Sequence, residues 1–257
     1  MRKFWTAVFL IMAVSACGND ARSTSDAGTG NSGAGASADV RPADFALIPC
    51  SEAETTICVL ALAGGKRLLF GAPAGVGNRF QPFELAHLDG LFLLSLRGED
   101  MEGLDEVRNV GWQAGRPGLL DVTGPDGVGD VIDALNRAYE VSDALIFVED
   151  GAPAGGFDAA LLSLNREISD EALVFDSGDL KVHAVSRGSD RVSYRVTYRD
   201  LDEAWYELLI RPCDAPAIGY SEYATLARNR SEIVCENGAF GDQWPFGDTW
   251  FLTKSDR

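Results

Sequence analysis

Histidine is nearly missing from this chain: 257 residues hold two, His87 and His183. A multi-histidine metal centre cannot be built from them. Basic charge is also short. Lys and Arg number 22 against 39 Asp and Glu, a net charge of −17, so the chain repels a phosphate backbone and general nucleic-acid binding is excluded. The 28 glycines follow no fixed period, which excludes a collagen-like fibre. Neither a Gly-x-Ser-x-Gly nor a Walker pattern occurs, and Ser95 has no histidine at a plausible partner position for a hydrolase triad. Glycines 71, 75 and 77 follow a strand, but Pro73 and the lack of a clear helix oppose a dinucleotide loop. What is present suits a folded protein. A hydrophobic fraction of 46% with 13 Phe, 6 Tyr and 5 Trp excludes global disorder. The length suits one sizeable domain or two small ones.

Residues 1–16 read as a signal peptide, with Arg2 and Lys3 ahead of an apolar run from Phe4 to Val14 that is too short to span a bilayer. Val14-Ser15-Ala16-Cys17 resembles the bacterial lipobox, so Cys17 is the expected lipidation site and mature N-terminus. Several acyl chains on one residue make a stable anchor. Gly18 follows, not Asp, which favours the outer membrane, with the protein on the periplasmic side. Residues 17–41 form a Gly/Ser/Ala-rich tether without apolar periodicity, and the globular domain spans 42–257.

Apart from Cys17, four cysteines remain: Cys50, Cys58, Cys213 and Cys235. Four allow three pairings. Cys50 and Cys58 flank a polar stretch between two apolar runs and face each other across a hairpin-like turn, which leaves Cys213 with Cys235. Four buried free thiols are the alternative. No C-x₂-C spacing supports a zinc site.

Short apolar runs predict strands at 45–50, 56–61, 67–70, 91–95, 119–123, 144–148, 172–176, 180–186, 191–198, 205–210 and 232–235. Helices are predicted at 102–110, 128–140 and 221–229, the second from the 3.6-residue spacing of Val128, Val131, Ile132, Leu135 and Tyr139. Two sheets with helices outside would bury these strands. The tail, 238–257, is rich in Gly and aromatics and reads either as a binding surface or as a cover for core left exposed by missing C-terminal elements.

Within 67–127, Phe70-Gly71-Ala72-Pro73 follows a strand and Leu88-Asp89-Gly90-Leu91-Phe92-Leu93 begins another. Gly103-Leu104, Gly115-Arg116 and Gly124-Pro125-Asp126-Gly127 then come in order. This succession resembles the metallo-β-lactamase superfamily, in particular its ribonuclease Z and arylsulfatase-like branch, and the likeness extends more faintly over 45–236. It implies an α/β fold, a four-layer αββα sandwich, here C-terminally shortened. In that layout strands 205–210 and 232–235 are neighbours, which supports Cys213–Cys235.

The resemblance also implies where metal ligands would stand. Ser95 and Arg97 occupy the first two histidine positions, Glu99 the aspartate position and Asp100 the third histidine position. Arg187 takes the place of a later histidine, and Asp214 that of the bridging aspartate. No imidazole is left, and His87 and His183 fall on no ligand position. The expectation is a pseudoenzyme without catalytic residues or cofactor, in which guanidinium groups stand where metal ions would and pair with the remaining acids. Its partners would be the membrane through Cys17 and an anionic small molecule or a protein. The alternative is a divergent hydrolase of phosphodiester, sulfate ester or lactone bonds, with a divalent metal at Glu99, Asp100 and Asp214.

Overall fold

The computed structural model describes residues 40–51, 53–242 and 244–255. The expected signal peptide, Cys17 and all but the last two residues of the tether lie outside them.

Three antiparallel strands open the domain: β1 (Phe45–Pro49), β2 (Val59–Ala63) and β3 (Lys66–Phe70). The β2–β3 turn is the two residues Gly64 and Gly65, at φ 59° and 73°. Positive φ at both central positions is what a tight hairpin turn of this hand requires, and glycine adopts it without strain. The chain then changes to parallel crossovers. Helix α1 (Pro82–Ala86) precedes β4 (Gly90–Phe92), and α2 (Gly98–Met101) and α3 (Leu104–Gln113) precede β5 (Leu120–Pro125). Helix α4 (Val128–Glu149) leads to β6 (Leu162–Ile168).

The second sheet is a meander of β7 (Glu171–Asp176), β8 (Leu180–Val185), β9 (Ser193–Arg199) and β10 (Trp205–Arg211). Strand β11 (Ala227–Glu236) adds parallel to β10, and β12 (Ala239–Phe240) closes that edge. The tail returns to the first sheet as β13 (Trp250–Thr253), antiparallel to β1. The sheet orders are β13-β1-β2-β3-β4-β5-β6 and β12-β11-β10-β9-β8-β7.

The sheets share one apolar interior. Phe70 and Phe92 stack at 4.9 Å, and Tyr194 meets both edge-on at 5.4 and 5.6 Å. On its other face the first sheet packs Leu60, Leu69, Leu91 and Val122 against Leu85, Leu104, Val107 and Ile132 of the helices. With both faces covered, β2 is apolar throughout, VLALA, rather than alternating. The result is a mixed α/β sandwich of two sheets packed with helices.

Two expected elements differ. The run 144–148 is not a strand but the continuation of α4. A short apolar run carries no period of its own, and the inward positions Asp143 and Ile146 keep helical spacing there. The expected helix 221–229 is a single 3-10 turn, Glu222–Thr225, followed by β11. In β11, Ser231, Ile233 and Cys235 are buried while Arg230, Glu232 and Glu236 are exposed, a period of two. Among the described residues no α-helix covers the outer face of the second sheet. The segment 212–226 lies there instead: Ser193 Oγ donates to Pro216 O at 2.6 Å, Arg195 Nη1 to Gly219 O at 2.6 Å, and Ser221 N to Glu207 Oε1 at 2.7 Å.

Both disulfides are present, Cys50–Cys58 and Cys213–Cys235, with Cα–Cα separations of 4.9 and 4.8 Å. The aromatic tail covers core. Trp244 is buried against the inter-sheet cluster and donates from Nε1 to Thr56 O at 3.3 Å, while Phe246 and Trp250 pack beside it.

Candidate functional site

The chain leaving β4 crosses to the second sheet. Val192 N donates to Leu94 O at 2.8 Å, Tyr194 Oη to Leu93 O at 2.7 Å, and Ser95 forms an antiparallel bridge with Arg191. These bonds hold the loop 95–100 against the start of β9. Ser95 and Asp100 are buried; the Ser95 hydroxyl donates to Asp100 Oδ2 at 2.5 Å and accepts from Arg97 N at 3.1 Å. Glu99 and Asp100 lie in the first turn of α2, where the exposed amide ends favour negative charge.

Arg191 faces these acids. Its Nη1 is 3.5 Å from Asp100 Oδ2 and its Nη2 is 3.4 Å from Glu99 Oε1, with the side chain only 10% exposed. Its Nε is buried without a hydrogen-bond partner. Burial raises the pKa of Asp100, opposed by the Ser95 hydrogen bond and the charge of Arg191 and reinforced by the neighbouring Glu99.

The other expected positions are arranged differently. Arg97 points outward and contacts Asp190 Oδ2 through Nε at 3.1 Å and Nη2 at 2.7 Å. That hydrogen bond holds the Asp190 carboxyl below its ordinary range and raises the pKa of Arg97, to which the charges of Glu99 and Asp214 also contribute. Arg187 does not join the cluster. It is exposed, at φ 52°, with Glu171 Oε2 at 3.8 Å. Asp214 sits in the turn after β10 at φ 61°, lining a cleft of about 470 Å³ with Arg211, Cys213, Cys235 and Glu236. The guanidinium between the acids is therefore that of Arg191. Its sequence signal was weak: it lies four residues past Arg187, just ahead of the alternating pattern of β9.

Of the two histidines, His87 stacks on Phe83 at 4.1 Å with its Nδ1 2.9 Å from Phe83 O. His183 pairs across β8–β9 with Arg195; burial first, then the Arg195 charge, lowers its pKa. Among the described residues no group of three or more His, Cys, Asp or Glu side chains is arranged to hold a metal ion. The donor set also disagrees with a metal at Glu99, Asp100 and Asp214. The first two face a guanidinium at 3.4–3.5 Å, and a divalent ion there would meet that positive charge in a partly buried place.

Sequence reasoning also missed a charged cluster beneath the helices. Arg108 of α3 and Asp143 of α4 form a fully buried ion pair, one arm at 3.1 Å. Arg116 is buried beside them without a carboxylate, and burial lowers its pKa to about 10. Its Nη2 donates to Val107 O at 2.7 Å across Gly111, where a Cβ would meet that nitrogen at 2.0 Å.

No protein-family model and no curated protein matches the chain. Solved structures similar to it include metallo-β-lactamase fold proteins. One is the short form of human tRNase Z, at TM-score 0.43 and 17% identity over 68% of this chain and 70% of that one. Another is the metallo-β-lactamase fold protein YhfI of Bacillus subtilis, at 0.44 and 11% over 70% and 65%. A third is a Cronobacter sakazakii metallo-β-lactamase with a HARLDQ motif, at 0.40 and 12% over 72% and 74%. These likenesses concern architecture and carry nothing about activity.

Proposed function

We propose that the chain is a bacterial lipoprotein, anchored through Cys17 on the periplasmic side of a membrane, the outer one favoured, whose globular domain binds a partner without catalysing a reaction. One observation carries the reading: Arg191 stands between Glu99 and Asp100, and the Ser95 hydroxyl takes up the Asp100 oxygen that also faces Arg191. Acids that face a guanidinium already have their counter-charge in place, and that positive charge opposes the divalent ion they would need to activate water.

Two measurements on the full chain test this. Protein from cells grown with zinc, manganese and magnesium should contain no stoichiometric metal and hydrolyse no ester, lactone, sulfate ester or phosphodiester. About one equivalent of metal with chelator-sensitive turnover overturns the non-catalytic reading. A fatty-acid label should enter the wild type and be lost in Cys17→Ala; a wild type that takes up no label overturns the anchor.

A further inference from the structure

Past Tyr139, helix α4 is held to the body by one of its faces. Asp143 is buried in its ion pair with Arg108, and Ile146 packs on Trp112, Ala159 and Ala160. Other positions carry Val141, Ala144, Leu145 and Val148, all exposed, the three larger ones at 73%, 53% and 80%. Their spacing of i, i+3, i+4 and i+7 aligns them as one stripe. Single exposed apolar residues need no explanation, but a contiguous stripe on a helix anchored by a buried ion pair is a rigid apolar surface.

We propose that this stripe is a self-association surface, on which two copies of the chain pair α4 against α4, antiparallel, about a two-fold axis level with Ala144 and Leu145. The helix is acidic overall, but the charges at the two ends of the stripe are complementary to each other, which favours that occupant and that direction. Arg137 is the only basic residue of α4, exposed one turn before Val141, and Glu149 and Asp150 end the helix. Antiparallel pairing brings each Arg137 level, within a turn, with the acidic end of the other copy. Parallel pairing would set Glu149 and Asp150 beside their own counterparts, acid against acid. The helix dipoles also oppose favourably in the antiparallel arrangement. Ala144, small and near the axis, lets Leu145 of the other copy approach closely. The contact is isologous and stops at two copies. Four side chains and their surroundings cover less than the roughly 800 Å² per partner of a stable complex, so the contact belongs to the small, transient class of interface.

Cysteine cross-linking of the full chain in cells tests the geometry. With an added oxidant, Ala144→Cys should give a covalent dimer. Arg137→Cys should give at least tenfold less, because its two copies stand roughly 20 Å apart along the paired helices. Adding Leu145→Glu to Ala144→Cys should cut the yield at least tenfold. Arg137→Glu should also lower it, and Glu149→Arg in the same chain should restore it. All these positions are exposed, so the fold tolerates the changes. Monomer alone from Ala144→Cys, equal yields from Arg137→Cys, no loss with Leu145→Glu, or an adduct whose mass is that of a different protein overturns the proposal.

Discussion

The guanidinium of Arg191 lies 3.5 Å from the Asp100 carboxylate, joining the loop after β4 to the start of β9 with both side chains at most one-tenth exposed. Breaking a buried pair leaves an uncompensated charge, at a cost of about 3–5 kcal/mol. Arg191→Met should therefore lower stability to urea at pH 7 by that order. The sign with pH follows from Asp100. Its folded pKa is raised by burial, so the protonated form is favoured in the folded state and its contribution to stability is lost as pH rises through that pKa. Without Arg191 the pKa rises further. The stability gap between variant and wild type should narrow from pH 7 to pH 5; a gap that widens would contradict this assignment.

Asp44 ties the start of the domain to its tail. Its carboxylate accepts Arg41 N at 2.8 Å, Ser255 N at 2.7 Å and Ser255 Oγ at 2.8 Å. Burial opposes ionisation, but these hydrogen bonds outweigh it and its pKa is lowered. Here the contribution is present above the unfolded pKa and lost as pH falls through the folded one. Asp44→Asn should cost about 1–3 kcal/mol at pH 7, measured by urea unfolding, and should flatten the loss of stability between pH 5 and pH 3.

Gly111→Ala places a methyl group where Arg116 Nη2 passes, 2.0 Å away, with Leu85 O at 2.6 Å. Neither the backbone carbonyl nor a buried guanidinium can move freely. The expected loss is about 1–3 kcal/mol, from overpacking, read as a lower melting temperature. Gly118→Ala, which meets nothing within 4 Å, serves as the control.

The two disulfides close loops of different length, with sequence separations of 8 and 22. Loop-closure entropy predicts about 2.5 kcal/mol for Cys50–Cys58 and about 3.4 kcal/mol for Cys213–Cys235. Replacing Cys213 and Cys235 together by serine should be the more destabilising double change. Proteolysis should then cut first within 212–226, the segment held across the outer sheet face.

Local pattern alone determined much of this protein. The continuous apolar runs of β1 to β3 and the alternation of β8, β9 and β10 are patterns that the chain carries in itself, and the runs that Cys50 and Cys58 flank pair those two and leave Cys213 with Cys235. The lack of imidazoles in 95–100 is likewise plain from composition. Other features were decided by distant contacts. The run 144–148 suits a strand or a helix by composition; it is helical because Asp143 finds Arg108, 35 residues earlier. Residues 227–236 form a strand because the edge of β10 offers backbone partners. The arginine beside Glu99 and Asp100 is Arg191, not Arg187, because the Ser95–Arg191 bridge sets its register, and no spacing within either segment encodes a contact between a loop and a strand some 90 residues apart.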